Sequence, residues 1–154
     1  LDQALHLFGD PDSIYGIAKT LRPNSKIIDY FSIELNYKDK VVRLKACMHA
    51  AKSDVRYKIH TNKGTYYFYK MDEQENQLLA GITPLDKSYG DIEKYDLFDW
   101  NENKVRKTKI KGDYTYYFDK LANAIRDNGP LPVSTTDAIK VIGYLEEIAK
   151  GKLK

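Results

Sequence analysis

Phe31-Ser32-Ile33-Glu34-Leu35-Asn36-Tyr37-Lys38-Asp39-Lys40-Val41-Val42-Arg43-Leu44-Lys45-Ala46-Cys47-Met48 carries two period-two patterns back to back. Phe31, Ile33, Leu35 and Tyr37 alternate with Ser32, Glu34 and Asn36. Successive strand side chains point to opposite faces, so this strand has one dry face and one wet one. Lys38-Asp39-Lys40 supplies a short turn. The second arm then sets Val42, Leu44, Ala46 and Met48 on one face and Arg43, Lys45, Cys47 and His49 on the other. Two such arms around a short polar turn predict an antiparallel hairpin that buries one face.

Working outward, more strands appear on both sides. Ile14 to Leu21 is an apolar, β-branched stretch ended by Arg22-Pro23-Asn24. Downstream, Val55, Tyr57 and Ile59 alternate with Arg56, Lys58 and His60, and Asn62-Lys63-Gly64 turns the chain into Thr65 to Tyr69. Leu97 to Trp100, the turn Asn101-Glu102-Asn103 and Lys104 to Ile110 read as another hairpin, and residues 82–94 between them read as a loop. Helical signals are kept apart from these runs. Leu1, Ala4, Leu5 and Phe8 make an i, i+3, i+4, i+7 stripe that stops at Gly9. Asp72 and Glu75 have capping-box spacing before Leu78-Leu79 and a stop at Gly81. Asp113 to Asp127 places Tyr114, Tyr117, Phe118, Leu121, Ala124 and Ile125 on one broad face, expected to be buried. Ser134 and Asp137 open a last helix through Ala138, Val141, Ile142, Leu145 and Ile148. Strand runs beside segregated helices predict an α+β fold, with a mostly antiparallel open sheet of about six strands and helices on one face.

The 154 residues suffice for one domain with its own core. The apolar stripe starts at the first residue, with nothing upstream to cap it and no initiator Met, so the chain is expected to be part of a longer one. Thirteen Tyr against one Trp and five Phe suit strands and half-buried sheet surfaces. A net charge of +3 is too small to mark a nucleic-acid binder unless it clusters. The one cluster, Lys104 to Lys111, alternates across a strand and reads as an edge guarded by lysines, so no nucleic-acid partner is expected. The single Cys47 precludes a disulfide framework and fits a reducing, cytoplasmic compartment. No apolar run approaches the roughly 20 residues of a membrane span, and no membrane partner is expected.

The sequence lacks the parts of a complete active site. None of the nine glycines forms a Gly-x-Gly pair, so neither a dinucleotide fingerprint nor a phosphate loop can be built. His49 and His60 are placed on polar faces of neighbouring strands, but no carboxylate cluster accompanies them and no metal site is expected. Cys47 stands among Arg43, Lys45 and His49, a setting that lowers a thiol pKa, yet it reads as a strand residue without a role.

Three stretches in order resemble the C-terminal domain of the Gfo/Idh/MocA oxidoreductases, the glucose-fructose oxidoreductase and inositol dehydrogenase family. The first is Leu1-Asp2 through Leu7-Phe8-Gly9-Asp10-Pro11. The second is Gly64-Thr65 through Tyr69, then Asp72-Glu73-Gln74-Glu75 and Leu78 to Gly81, departing from the family's Lys-Tyr-Gly at Phe68 and Lys70. The third is Gly112-Asp113-Tyr114 through Phe118, Leu121 and Ala124-Ile125, then Pro130 to Val133 and Ala138 to Ile142. The resemblance implies a dihydrodipicolinate-reductase-like α/β domain that follows an N-terminal Rossmann domain for NAD or NADP, the latter absent here. It also implies a sugar, polyol or related substrate, hydride transfer, and homodimers or larger homo-oligomers formed through the sheet. The family's Glu-Lys-Pro lysine and its His three residues before Asp2 would lie upstream, so the resemblance implies no catalytic residue, no bound cofactor and no activity in this chain alone.

Two residues are left as candidate substrate contacts. Asp2 is placed to hydrogen-bond a sugar hydroxyl, or else simply favours the dipole of its helix. Tyr69 matches the tyrosine of the family's Lys-Tyr-Gly and is expected to line the pocket mouth, or else packs on the sheet. His6 shares the face of Asp2 and reads as a packed or capping histidine. The alternative at the level of the whole chain is a non-catalytic ligand-binding or protein-interaction domain of the same fold.

Overall fold

The computed structural model describes residues 1–52, 55–69, 72–92, 95–101, 103–106 and 110–153. Its elements run α1 (Asp2–Phe8), β1 (Ser13–Lys19), β2 (Tyr30–Tyr37), β3 (Lys40–Cys47), β4 (Tyr57–Thr61), β5 (Gly64–Phe68), α2 (Gln74–Leu79), β6 (Asp91–Ile92), β7 (Tyr95–Phe98), β8 (Lys104–Arg106), β9 (Ile110–Lys111), α3 (Thr115–Asp127) and α4 (Thr135–Ala149). All strand pairs are antiparallel, and the fold is α+β. A single open sheet of six strands is not seen among the described residues. Among the described residues the strands divide into sheets of three, four and two. Contacts along the chain separate two compact units, Leu1–Ala51 with Val133–Lys154, and Lys52–Pro132.

In the first unit β2 is the central strand between β1 and β3. The hairpin read from the period-two pattern pairs Ile33 with Leu44 and Leu35 with Val42, so the dry faces of both arms coincide. Ile33 and Leu35 are 3% and 0% exposed and form the core with Ala4 of α1 and Ile148 of α4. Helix α4 begins where the capping spacing places it, with Ser134 Oγ accepting the Asp137 N–H at 3.3 Å. It packs on β1 at Gly16, where a Cβ would stand 2.9 Å from both Ile148 Cγ1 and Cγ2. Met48 and His49 lie beyond the end of β3, and Met48 is exposed.

The link from β1 to β2 is built around Asp29, whose side chain is fully buried. Its carboxylate accepts the N–H groups of Leu21 at 2.7 Å and Arg22 at 3.0 Å, and Arg22 Nε at 2.9 Å. Its backbone N–H reaches Lys19 O and its carbonyl takes the Met48 N–H, so one residue ties both edge strands to the centre. The Leu21 N–H, against the opposing effect of burial and helped by Arg22, lowers the Asp29 pKa from 3.8 to about 2.

The second unit holds the sheet β4-β5-β7-β8 and the pair β6·β9. Gly64 opens β5 at φ 137°, and a Cβ there would stand 2.1 Å from Phe98 O, so only glycine allows the approach of β7. Trp100 Nε1 donates to Asn62 O at 3.1 Å across the end of this sheet. Several expectations are corrected here. Val55 lies before β4 rather than in it, and the expected loop 82–94 contains β6. Asp72 does not close a capping box; its carboxylate takes the N–H of Gln74, two residues on, and the N-cap is Glu73. The apolar face of α3 is not buried in this unit. Ala124 is buried, whereas Phe118 and Ile125 are 63% and 72% exposed.

Two stability predictions follow from the first unit. Gly16→Ala forces Ile148 to move and should cost about 1–3 kcal/mol in urea unfolding. In an Ile148→Ala background, which lacks both clashing γ-carbons, Gly16→Ala should cost little beyond what Ile148→Ala costs alone. For Asp29 the folded pKa lies below its ordinary value, so its contribution is complete above pH 3.8 and is lost as pH falls to about 2. Asp29→Asn should therefore lower Tm at neutral pH and flatten the acid limb of a Tm-against-pH curve over that window.

Candidate functional site

Tyr69 follows directly on β5, and the register of β4 with β5 decides its company. Lys58 stands opposite Tyr67 and His60 opposite Thr65, and opposed residues share a face. Lys58, His60, Thr65, Tyr67 and Tyr69 therefore lie on one side of the sheet. Tyr67 and Tyr69 stack with ring centroids 6.1 Å apart and planes within 12°. Lys58 Nζ lies 5.5 Å from the Tyr67 ring, and Phe98 meets that ring edge-on at 5.7 Å and 85°. His60 Nδ1 lies 2.9 Å from Thr65 Oγ1. Tyr67 thus touches three neighbours and is partly buried, while Tyr69 stays 50% exposed. Such a face offers flat aromatic surface, one ammonium and hydroxyl groups, the equipment for an uncharged ligand with many hydroxyls.

Asp2 stands in the first turn of α1, exposed, in the other unit. Its short helix is held at the far end. Tyr37 hydroxyl donates to Gly9 O at 3.0 Å, Phe8 meets the Tyr37 ring edge-on at 6.2 Å, and Lys140 Nζ binds the Asp10 carboxylate at 2.9 and 3.0 Å. Burial raises the Tyr37 pKa, outweighing the opposing charge of Lys40. His6 is exposed in the last turn of α1, where a cation suits the helix dipole.

The remaining candidates do not assemble. β3 and β4 belong to different sheets, so His49 and His60 are not on neighbouring strands as expected. Cys47 is half-buried opposite Tyr30 at the end of β3. Among the described residues no group of three or more His, Cys, Asp or Glu is placed to hold a metal ion. Of the basic run, Lys104–Arg106 forms β8 at the edge of the four-stranded sheet, and residues 107–109 lie outside the described residues.

Two buried polar residues escaped the sequence reading. Asp29 is one. Gln74 is the other, with 0% exposure on a helix read for its cap and its apolar residues. Gln74 Nε2 donates to Asp72 Oδ2 at 2.7 Å, and Oε1 accepts the Tyr114 N–H at 2.8 Å. Gly112 leaves room for it, since a Cβ there would stand 2.5 Å from Nε2. Nearby, Gly90 N–H donates to Gln77 Oε1 at 2.7 Å, and Gly112 N–H to Gly90 O at 2.7 Å. Tyr89 is buried beside this network, and burial raises its pKa, with the charges of Tyr114, Asp72 and Asp113 adding to the effect. The one signal in sequence was the Asp-x-Gln spacing followed 38 residues later by Gly112, which no local periodicity connects.

Residues 1–150 match the family described as the oxidoreductase family, C-terminal alpha/beta domain. The chain is 33% identical over 152 residues to the scyllo-inositol 2-dehydrogenase (NADP(+)) IolW of Bacillus subtilis, covering 95% of this chain and 42% of that protein. It is also 33% identical over 154 residues to the uncharacterized oxidoreductase YdgJ of Escherichia coli, covering 95% of this chain and 43% of the relative. A crystal structure of a Klebsiella pneumoniae protein described as an oxidoreductase superposes with a TM-score of 0.86 at 31% identity, over 98% of this chain and 43% of that one. The chain therefore spans less than half the length of each of these relatives.

Gln74→Leu should cost about 1–3 kcal/mol, because it strips a partner from both Asp72 and the Tyr114 N–H. Gln74→Glu keeps the shape but sets a second carboxylate against Asp72. Its deficit in urea unfolding should shrink as pH falls into the carboxylate range, whereas that of Gln74→Leu should not.

Proposed function

The chain belongs to the Gfo/Idh/MocA oxidoreductases, as their C-terminal α/β domain, and from that premise we propose that it is the substrate-binding and oligomerisation part of an NAD(P)-dependent enzyme. The enzyme oxidises a sugar, polyol or related CH–OH compound by hydride transfer. The similarity to a scyllo-inositol 2-dehydrogenase that uses NADP+, over nearly the whole chain, carries this reading and favours a cyclic polyol with NADP+.

The residues present do not fit a dinucleotide. No two glycines have Gly-x-Gly spacing, and β1 runs into β2 rather than into a phosphate-facing helix. Cofactor binding and proton handling therefore fall to a Rossmann domain elsewhere in the protein, and this chain alone is inactive. Its own share is recognition of the substrate, and each unit holds one candidate contact: Asp2 as acceptor for a hydroxyl, and Tyr69 as aromatic surface on its sheet face. Oligomers form through the side of the β1–β3 sheet opposite the core, where Tyr15, Glu34, Arg43 and Lys45 lie. Arg43 Nε already engages Glu34 there at 2.8 Å, so the contact is polar and wet. No helix among the described residues is long and apolar enough to cross a membrane. A cytoplasmic location suits the lone Cys47.

The test compares the 154-residue chain with the longer protein that joins it to a dinucleotide-binding domain. Reduction of NADP+ and NAD+ is followed with inositols, aldoses and open-chain alditols. We expect the longer protein to reduce NADP+ with a cyclic polyol, the shorter one to be inert, and Asp2→Asn to lower kcat/KM about five- to tenfold. Turnover by the 154-residue chain alone, or none with any polyol in the longer protein, overturns the reading. Light scattering should find dimers or larger assemblies at micromolar concentration, and a monodisperse monomer would remove the oligomerisation role.

A further inference from the structure

We infer that Tyr69 binds substrate with the face of its ring rather than with its hydroxyl, and that Lys58 and Tyr67 are the positioning residues that hold that ring in place. The inference rests on the polyol-oxidising reading above and specifies how one face of the chain serves it. Tyr67 is the more covered of the two rings, with Lys58, Phe98 and Tyr69 against it. Its parallel contact with Tyr69 aligns the second ring and backs one of its faces. Tyr69 itself is half exposed, so it offers surface that Tyr67 does not.

The ammonium of Lys58 lies over the ring on which Tyr69 stacks, and a cation beside an aromatic face is attracted to its π electrons. Lys58, Tyr67 and Tyr69 therefore form one ordered stack, so little side-chain freedom is left for a ligand to freeze. A cyclitol or pyranose with equatorial hydroxyls presents only C–H bonds on the faces of its ring. That surface matches an open aromatic face, and the hydroxyls around its rim stay free to meet hydrogen-bonding groups. An open-chain alditol has no such face. The stack thus separates cyclic from linear polyols, and it does so through binding rather than through the chemical step.

The experiment uses the longer, active protein and measures KM and kcat for one inositol and one open-chain alditol. Tyr69→Phe should leave KM for the inositol within about twofold, because the ring face is intact. Tyr69→Leu should raise that KM about tenfold with kcat little changed, and should leave the alditol KM unmoved. Lys58→Gln should raise the inositol KM about threefold, and Lys58→Arg should restore it, because a guanidinium also stacks on an aromatic face. A Tyr69→Phe defect as large as that of Tyr69→Leu would show that the hydroxyl acts instead. Equal losses on both substrates, or no rescue by Lys58→Arg, would reduce the stack to a structural element. If the wild-type protein oxidises neither compound, the underlying reading falls and this inference falls with it. Inositol turnover with an unaffected Tyr69→Leu variant sinks the inference alone.

Discussion

The seating of Ile148 over Gly16 joins the two ends of the chain. A residue 132 positions away in sequence fills the space where any side chain on β1 would stand. With Ile148 in place, the contact leaves room for only the smallest residue on the sheet. It decides where α4 lies, and with it which side of the β1–β3 sheet is dry. Ala4, Ile33 and Leu35 complete the same cluster, so α1 shares the core that α4 closes. The placement of Asp2 depends on this core as much as on its own helix, whose seven residues are too few to be stable alone.

The two units reach stability by different means. The first has an apolar centre with one buried carboxylate at its margin, and Asp29 tolerates burial because backbone N–H groups and Arg22 satisfy it. The second gathers its helices around a buried amide. Gln74 is matched at both ends of its side chain, and two glycines bring the neighbouring backbone close enough to complete the network. A polar network of this kind is strongly directional. Its geometry tolerates little change, because each unpaired member is costly in a low-dielectric setting.

How much was legible in the sequence follows from the range of each signal. The hairpin from Phe31 to Ala46 was legible with its dry faces, because period-two alternation is local and one face must be buried. The caps at Gly9 and Ser134 were legible for the same reason. Division into sheets of three, four and two was not, because β6 meets β9 across 18 residues that carry no shared period. The stripe on α3 was read correctly as apolar, but periodicity says which residues align and not what covers them. Asp29 and Gln74 were missed because polar residues are read as solvent-facing unless their partners are known. Asp2 and Tyr69 came from resemblance alone, and their spacing contains nothing that marks a site. What the structure adds to Tyr69 is its company, the cation and the second ring.

A domain that recognises hydroxyls while another performs the chemistry has a consequence for selection on its residues. Contacts to parts of a substrate that do not react bind ground state and transition state alike, so they act on KM and leave kcat alone. Contacts that orient the reacting carbon act on kcat as well, and small displacements there are costly. A ring stacked on an aromatic face is free to slide and rotate about the stacking axis. A carboxylate bound to one hydroxyl removes that freedom. Within the proposed enzyme, a ring face such as that of Tyr69 therefore acts on the class of substrate bound, and the hydroxyl presented for reaction is fixed by hydrogen-bonding groups. Flatness alone does not distinguish one carbon from the next in a ring whose hydroxyls are nearly equivalent.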